Sequence, residues 1–266
     1  MSTPVALTIA GSDSSGGAGI QADLKTFAAL SVYGASVLTA LTAQNTTGVT
    51  GVHLVPPDFV TAQIDAVFDD LAVGAVKIGM VAQAPITEAI AASLSRWKPA
   101  HVVLDPVMVA TSGARLLPED AIEALRSRLI PQAALITPNL PEAAALLGEP
   151  IADTDEAIAA QGRRLLALGC PAVLIKGGHG QGAESTDYLI TGDSSTALPA
   201  PRVATKNTHG TGCSLSSAVA AGLAKGEGLQ TAVRNAKAFI SGAIAAADRF
   251  TVGHGHGPVH HLYRFY

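Results

Sequence analysis

Short apolar segments alternate with longer stretches of helical periodicity along almost the whole chain, and this alternation limits the fold more than any other feature. It is typical of an α/β fold, with a mostly parallel sheet and helices on both faces. The predicted strands cover residues 5–11, 35–41, 75–80, 101–107, 134–139 and 172–178. The predicted helices cover residues 18–30, 56–71, 85–97, 118–129, 140–147, 154–168, 212–225 and 230–249.

Residues 187–201 interrupt this alternation. They predict two strands joined at Thr191, Gly192 and Asp193, which would form an antiparallel edge of the sheet. The chain has 266 residues, of which 48% are apolar, and we find no internal repeat or linker. We therefore expect one domain, 1–266, with a large core.

The composition excludes several classes of function. Charged residues make up 14% of the chain and the net charge is −4, without a basic stripe, so we expect no nucleic-acid partner. No run approaches the roughly 18 apolar residues of a membrane span, and the start does not resemble a signal peptide. The two cysteines, Cys170 and Cys213, suit a reduced, cytoplasmic protein rather than a disulfide framework. The low charge indicates an oligomer interface, and we expect a homodimer.

Residues 207–218, NTHGTGCSLSSA, predict an anion-binding site. Gly210, Thr211 and Gly212 precede a predicted helix, so backbone N–H groups and the positive end of the helix dipole would meet a phosphate there. Cys213 falls at the rim of this site, where we expect its thiol to ionise easily. A glycine-rich helix start with a buried cysteine is the alternative interpretation.

A second glycine-rich turn covers residues 11–25 and starts at Gly11. It lacks the spacing of a P-loop or of a dinucleotide fingerprint, so we expect it to let the backbone approach a ligand. Asp23 can accept a hydrogen bond from a substrate hydroxyl or amine, or it can be a solvated turn residue. Gln44, after the second strand, has the donors and acceptors that suit an aminated heteroaromatic ring, or it can bond to its own backbone.

Polar residues follow several predicted strands. Because ligands of open parallel sheets bind beyond the carboxyl ends of the strands, Asp105, Asn139 and Lys176 should meet at one rim. Asn139, Glu142 and Asp105 can position a hydrated Mg²⁺ with phosphate oxygens. A capping box of Asn139 and Glu142 is a compatible second interpretation. Lys176 is expected to contact a nucleotide phosphate. Alternatively, its aliphatic chain extends to the surface, where the ammonium is solvated.

The histidine-rich tail invites a metal interpretation, but its spacing fits no zinc pattern and no carboxylate or cysteine accompanies it. We therefore expect the segment with His254, His256, His260 and His261 to be a loop folded back over the domain, or an interface. Cys170 precedes a proline at a helix–strand junction and is predicted to be structural.

Taken together, these segments resemble the hydroxymethylpyrimidine kinase/hydroxymethylpyrimidine-phosphate kinase family of thiamine biosynthesis. The resemblance rests on AGSDSSGGAGIQADLKTF, AQNTTGV, KIGM, DPVM, TPNLPEA, KGGH, NTHGTGCSLSSA and GHGHGPVHH, which occur in the family's order over nearly the whole chain. It implies a ribokinase-like fold and two successive ATP-dependent phosphorylations. The first converts 4-amino-5-hydroxymethyl-2-methylpyrimidine to its monophosphate, and the second yields the diphosphate.

The resemblance also implies a role for individual residues. The 210–212 backbone would hold the transferred phosphoryl group, and Cys213 would be the base. Gln44 would recognise the aminopyrimidine edge. Further substrate contacts are implied for Gly11, Asp23, Met80 and Val107; magnesium and phosphate contacts for Asp105, Asn139 and Glu142; and nucleotide contacts for Lys176, Thr211 and Lys237.

The chain departs from the family pattern at two places. Thr111, Ser112, Gly113 and Ala114 replace a frequent Lys-Ser-Gly-Asp, which puts a lid role of that loop in doubt, and Ser214 replaces a frequent Thr. Three other functions compete with the main one. They are a pyridoxal kinase, a non-catalytic binder of the same fold, and a cysteine-nucleophile enzyme with His209 as base, for which no orienting carboxylate is evident.

Overall fold

The structure, a computed structural model, describes residues 3–108, 118–179, 182–192 and 194–266. Two sheets lie within these residues. The strands of the large sheet are β1 (Val5–Ala10), β2 (Tyr33–Leu38), β5 (Ala75–Ile78), β6 (Val102–Leu104), β7 (Leu135–Ile136), β8 (Ala172–Ile175), β9 (Asp187–Thr191) and β10 (Ser194–Leu198). The small sheet is a hairpin of β3 (Ala40–Asn45) and β4 (Gly48–Leu54).

The large sheet has the order β10-β9-β8-β7-β6-β5-β1-β2. Every pair from β8 to β2 is parallel, whereas β9 pairs antiparallel with both β8 and β10. This arrangement confirms the predicted mostly parallel sheet and its antiparallel edge. Gly192 makes the predicted turn at that edge with a φ of 52°.

Helices cover both faces of the sheet, as predicted. They are α1 (Gly19–Ala29), α2 (Pro57–Phe68), α3 (Ala84–Trp97), α4 (Glu119–Ala124), α5 (Leu140–Leu147), α6 (Asp155–Leu166), α7 (Thr211–Ala224) and α8 (Leu229–Ala245). The predicted helix 118–129 differs in its second half, because a π-helical turn over Leu125–Leu129 follows α4. None of the helices in the described ranges is long and apolar enough to cross a membrane.

Two apolar cores follow from the alternation of side chains along the buried strands. Val76 and Ile78 of β5 lie in the core under α2, α3, α5 and α6. Ala75 of the same strand lies in the core under α1, α7 and α8. Lys77 therefore points toward the second core, which gives this lysine an unusual position.

The hairpin of β3 and β4 is the main departure from the predicted fold. The sequence pattern predicted one strand over 35–41 followed by a loop, whereas β2 ends at Leu38 and β3 begins at Ala40. The two strands of the hairpin have six and seven residues and are rich in threonine, alanine and glycine, so the alternation of apolar residues is weak. The hairpin carries Gln44, which the sequence analysis predicted as a substrate contact.

Candidate active site

A cavity of about 740 Å³ lies beyond the carboxyl ends of the parallel strands. The two glycine-rich segments and the hairpin of β3 and β4 contribute to its wall, so it matches the place predicted for a ligand. Most of the predicted site residues line it: Gly11, Gln44, Met80, Asp105, Val107, Asn139, Glu142, Lys176, Gly210, Thr211, Gly212, Cys213 and Lys237.

The glycine-rich segments are packed tightly against each other. Gly210 has a φ of 79°, and a Cβ on it would lie 1.9 Å from the carbonyl oxygen of Gly17. Only glycine suits this turn and this approach. Helix α7 begins at the next residue, Thr211, and its first N–H groups have no acceptor within the helix. The predicted anion-binding geometry is therefore present at the edge of the cavity.

Cys213 lies in the first turn of α7, but its thiol differs from the sequence-based prediction. Burial raises the pKa of Cys213 to about 11, although the ammonium of Lys77 acts in the opposite direction. The negative charges of Asp23 and Asp105 raise this pKa further, and a hydrogen bond from the Gly19 backbone lowers it. The prediction of an easily ionised thiol was wrong, because burial outweighs both the charge of Lys77 and the hydrogen bond from Gly19.

Lys176 lies between two carboxylates at the rim of the sheet. Its Nζ is 2.6 Å from Asp105 Oδ1 and 3.8 Å from Glu142 Oε2. Burial alone would lower the pKa of Lys176, but the two carboxylates raise it above its ordinary value. A Cβ on Gly212 would lie 3.2 Å from the lysine Nζ, so this permanent cation borders the first turn of α7. The prediction that strand-end residues meet at one rim is confirmed for Asp105, Asn139 and Lys176.

Asn139 and Glu142 form the capping box of α5. The side chain of Asn139 accepts a hydrogen bond from the Glu142 N–H at 2.8 Å, and that of Glu142 accepts from the Asn139 N–H at 2.8 Å. Burial raises the pKa of the Glu142 carboxyl, although Lys176 acts against this. The structural interpretation of the pair is thus confirmed, and it leaves both side chains at the cavity wall.

Lys237 reaches the cavity from α8. Its Nζ is 2.8 Å from Asp187 Oδ2 and donates to the Ser185 carbonyl at 2.8 Å. Asp187 in turn accepts a hydrogen bond from the Gly177 N–H, directly after Lys176. Lys237 therefore fixes the start of β9 beside the charged rim.

Met80 and Gly11 form a close contact at the other end of the cavity. A Cβ on Gly11 would lie 2.4 Å from Met80 Cε, so the glycine leaves room for the methionine. Val107 and Gln44 line the same cavity. Gln44 Oε1 lies 3.2 Å from Thr42 Oγ1, and Gln44 Nε2 lies 3.4 Å from His209 Nε2.

Asp23 was predicted to contact the substrate, but the structure places it elsewhere. The residue is 0% exposed, and its carboxylate accepts hydrogen bonds from Thr8, Lys77 and Ser217 at 2.6 to 3.0 Å. A carboxylate so fully occupied lies beneath the cavity and not at its surface, contrary to the predicted contact with substrate. The cause is Lys77, a fully buried lysine whose charge needs a partner.

Two further groups were missed by the sequence analysis. Lys77 was not assigned a role, although a lysine within an apolar strand is an available signal. Asp13 was missed as the partner of His209, whose Nε2 lies 2.8 Å from Asp13 Oδ2. An orienting carboxylate for His209 therefore exists, contrary to expectation. It does not make Cys213 a nucleophile, because a raised thiol pKa is the opposite of the activation that such an enzyme needs.

The C-terminal segment folds back over the domain, as expected. Pro258 pairs with His209 in a parallel bridge, and the His256 N–H donates to the Thr46 carbonyl of the hairpin. His261 is buried against Ser214, with 2.8 Å between its Nε2 and Ser214 Oγ. Among the residues that the structure describes, no group of three or more histidine, cysteine, aspartate or glutamate side chains could hold a metal. Cys170 is buried as predicted, whereas the loop with Thr111 to Ala114 lies outside the described residues.

A mostly parallel sheet, a glycine-rich helix start at its carboxyl edge and a neighbouring lysine between carboxylates define a small-molecule kinase with a ribokinase-like fold. Solved structures agree. The chain superimposes with a TM-score of 0.92 on a Bacillus subtilis pyridoxal kinase in an ADP complex, at 38% identity and over 100% of both chains. It superimposes with a TM-score of 0.80 on a Clostridium difficile phosphomethylpyrimidine kinase, at 44% identity over 90% of this chain and 99% of that one.

The chain belongs to the phosphomethylpyrimidine kinase family, which matches residues 13–260. It is 57% identical to the hydroxymethylpyrimidine/phosphomethylpyrimidine kinase of Salmonella typhimurium, over 98% of both chains. Identity to the Escherichia coli protein of the same name is 56%, again over 98% of both chains.

Proposed function

We propose that this enzyme uses ATP to phosphorylate 4-amino-5-hydroxymethyl-2-methylpyrimidine and then its monophosphate, as a step of thiamine biosynthesis. One observation carries the proposal: a single cavity has an anion-binding helix start at one end and the amide of Gln44 at the other. A phosphate and a polar heteroaromatic ring can therefore occupy it together.

The phosphate end would stabilise the transferred group by electrostatics. Phosphoryl transfer depends on positioning and charge neutralisation more than on strong base catalysis. The N–H groups of Gly212 and Cys213 would donate hydrogen bonds to the phosphate oxygens, and Lys176 would lie beside them. Lys237, at the same rim, would contact the nucleotide after exchanging part of its bond to Asp187.

The same rim suits Mg²⁺ that arrives with the nucleotide. Mg²⁺ is usually held by one or two carboxylates, waters and substrate phosphates rather than by a cage of protein ligands. Asp105 and Glu142 provide two carboxylates on either side of Lys176, and Asn139 adds an amide. The ion would neutralise charge that develops on the phosphate oxygens.

The thiolate form of Cys213, a minor fraction at neutral pH because burial raises the thiol pKa, would accept the proton of the substrate hydroxyl. Its position in the first turn of α7 places the thiol beside the anion-binding backbone. At the ring end, Gln44 would pair with the amino group and the adjacent ring nitrogen, while Gly11, Met80 and Val107 would contact the ring. With these contacts, one cavity would accept first the alcohol and then its monophosphate.

Formation of ADP with the purified chain tests this function. We expect ADP release with the aminopyrimidine alcohol, and mass spectrometry should detect first the monophosphate and then the diphosphate. The absence of both products in the presence of ATP and Mg²⁺ would contradict the proposal. Pyridoxal belongs in the same assay as a second candidate substrate, because a pyridoxal kinase superimposes on the full chain with a TM-score of 0.92.

We also propose a cytoplasmic homodimer. Both cysteines are free, which suits a reducing compartment that also supplies ATP. The hairpin of β3 and β4 is only a two-stranded sheet, and Leu41 and Val52 on it are 45% and 50% exposed. Because an isolated hairpin is marginally stable, a second copy packed against it would stabilise this part of the site.

A further inference from the structure

Asp13 is a carboxylate that can only accept hydrogen bonds. Its Oδ1 accepts from the N–H and hydroxyl of Ser15, and its Oδ2 accepts from the N–H groups of Gly17 and Ala18. Burial alone would raise the pKa of Asp13, but the bond from His209 and those from Ser15 and Ala18 lower it far below its ordinary range. The carboxyl group is therefore ionised, and His209 Nε2 must carry a hydrogen that it donates to Asp13.

This hydrogen decides what the amide of Gln44 can do. An imidazole nitrogen that carries a hydrogen has no lone pair, so His209 Nε2 cannot accept from an NH₂ group 3.4 Å away. The amide oxygen can share the same N–H. At the other end of the amide, Thr42 donates its hydroxyl hydrogen to the Ser12 carbonyl at 2.8 Å. With that hydrogen committed to Ser12, Thr42 Oγ1 offers Gln44 only lone pairs, although Oε1 is the amide atom placed 3.2 Å from it. A 180° rotation of the amide exchanges its oxygen and nitrogen and gives both neighbours a matching partner.

We propose that Asp13 and His209 are positioning residues that hold the Gln44 amide with its oxygen toward His209 and its nitrogen toward Thr42, and so select the aminopyrimidine ring. The inference rests on the proposed substrate and on the role of Gln44. The oxygen keeps one lone pair and the nitrogen keeps one hydrogen for the ligand. The amide oxygen can accept from the amino group of the pyrimidine while the amide nitrogen donates to the adjacent ring nitrogen. A fixed amide allows this pairing in one orientation of the ring edge only.

The backbone keeps His209 in this position. Its N–H donates to the Gly257 carbonyl at 3.0 Å, and its carbonyl accepts from the Val259 N–H at 3.2 Å. A Cβ on Gly17 would lie 2.4 Å from His209 Cδ2, so the imidazole lies directly on the glycine-rich turn. The imidazole is therefore fixed by the tail on one side and by this turn on the other.

Two pyrimidines that differ in this edge provide the test. One is the 4-amino substrate, and the other is its 4-oxo analogue, which presents an acceptor next to a ring N–H and so reverses the pattern. A fixed amide rejects the reversed pattern, whereas an amide that can rotate by 180° accepts both. We expect His209→Phe, which removes the N–H, to reduce the preference for the amino compound about tenfold in calorimetric Kd ratios.

His209→Gln is the matched control, because its terminal NH₂ can still donate to Asp13. It should restore most of the preference, while the KM for ATP stays within about twofold of the original in both variants. In a Gln44→Ala background, His209→Phe should cause no further change in the ratio, since it acts through Gln44. Equal weakening of both pyrimidines, or an unchanged ratio, would overturn the inference.

The proposed function fails in a different way. If the unmodified enzyme binds neither pyrimidine, the assignment of the substrate itself is wrong. If it binds the amino compound strongly and His209→Phe does so with the same preference, only the role of Asp13 and His209 is wrong.

Discussion

At the scale of single residues, Cys213 combines a central place in the site with a thiol that keeps its proton. Burial raises its pKa to about 11, and Lys77 offsets only part of that effect. The thiolate fraction near neutral pH is therefore small, and it increases about tenfold per pH unit below the pKa. If Cys213 is the base, as proposed, this small thiolate fraction would limit the rate most at low pH.

We expect Cys213→Ala to lower the turnover of the aminopyrimidine alcohol by about 10²–10⁴ while nucleotide binding is mostly retained. Turnover of the original enzyme should rise with pH between about 7 and 9, and the variant should lose this rise. ADP release at saturating substrates measures both effects. The second phosphorylation should suffer less, because its acceptor is already an anion. An unchanged rate in the variant would show that Cys213 is not the base.

Some residue contacts were predictable from the sequence and others were not. Asp105, Asn139 and Lys176 follow parallel strands, whose carboxyl ends must meet, so their proximity could be predicted. Asp13 and His209 are 196 positions apart, and their pairing depends on how two loops pack. Nothing in the local sequence of either residue indicates the other. The same holds for Asp23, whose burial is decided by Lys77 on another element.

At the scale of elements, the ion pair of Lys77 and Asp23 joins three pieces of the fold. Lys77 lies on β5, Asp23 on α1, and Ser217 of α7 donates to the same carboxylate at 2.7 Å. Both charged side chains are 0% exposed. Removing one member of such a pair leaves a buried charge without compensation.

We expect Lys77→Met to lower the free energy of unfolding by about 3–5 kcal/mol. Adding Asp23→Asn to it should recover part of the loss, because the remaining group is then neutral. Urea denaturation of both variants measures this, with Lys225→Met at an exposed position as the control. A single variant within about 1 kcal/mol of the original would show that the pair is not structural.

The hairpin of β3 and β4 shows why an element can be missed. The inner parallel strands of the large sheet, such as β6 and β8, are buried on both faces and appear as continuous apolar runs. The hairpin is largely exposed, and its register shifts between Ala43 and Gln44, so its polar and apolar residues do not alternate regularly. Local β preference alone therefore does not predict this hairpin.

At the scale of the whole molecule, the tail couples stability to acid through His261. Burial lowers the pKa of His261 to about 3, and the positive charge of Lys25 lowers it further. Because this pKa is below that of the unfolded chain, the folded protein keeps the imidazole neutral. The stabilisation is complete above about pH 6.5 and is lost as the pH falls from there toward 3.

We expect stability to fall by up to about 1.4 kcal/mol per pH unit in that window on account of His261. His261→Gln should be less stable at pH 7 but should show a flatter dependence between pH 6.5 and 4. Urea denaturation at several pH values measures the difference. An identical slope in the variant would assign the acid sensitivity to other groups.

The proposed dimer is tested at the same scale. Leu41→Asp, on the exposed hairpin, should shift the protein toward monomer in sedimentation velocity, because it places a charge in an apolar contact. Ile151→Asp, at a position that is 57% exposed elsewhere, should leave the association state unchanged. Equal behaviour of the two variants would contradict an interface at the hairpin.

The protonated sulfur has a consequence for inhibitor design. Electrophilic warheads attack the thiolate and not the thiol, so small alkylating reagents should label Cys213 slowly at neutral pH. A covalent inhibitor of this enzyme would therefore depend on its non-covalent contacts with the cavity. These contacts must hold it in place long enough for the Cys213 thiol to ionise and react. The same setting should slow oxidation of the sulfur, because oxidants also react with the thiolate rather than the thiol.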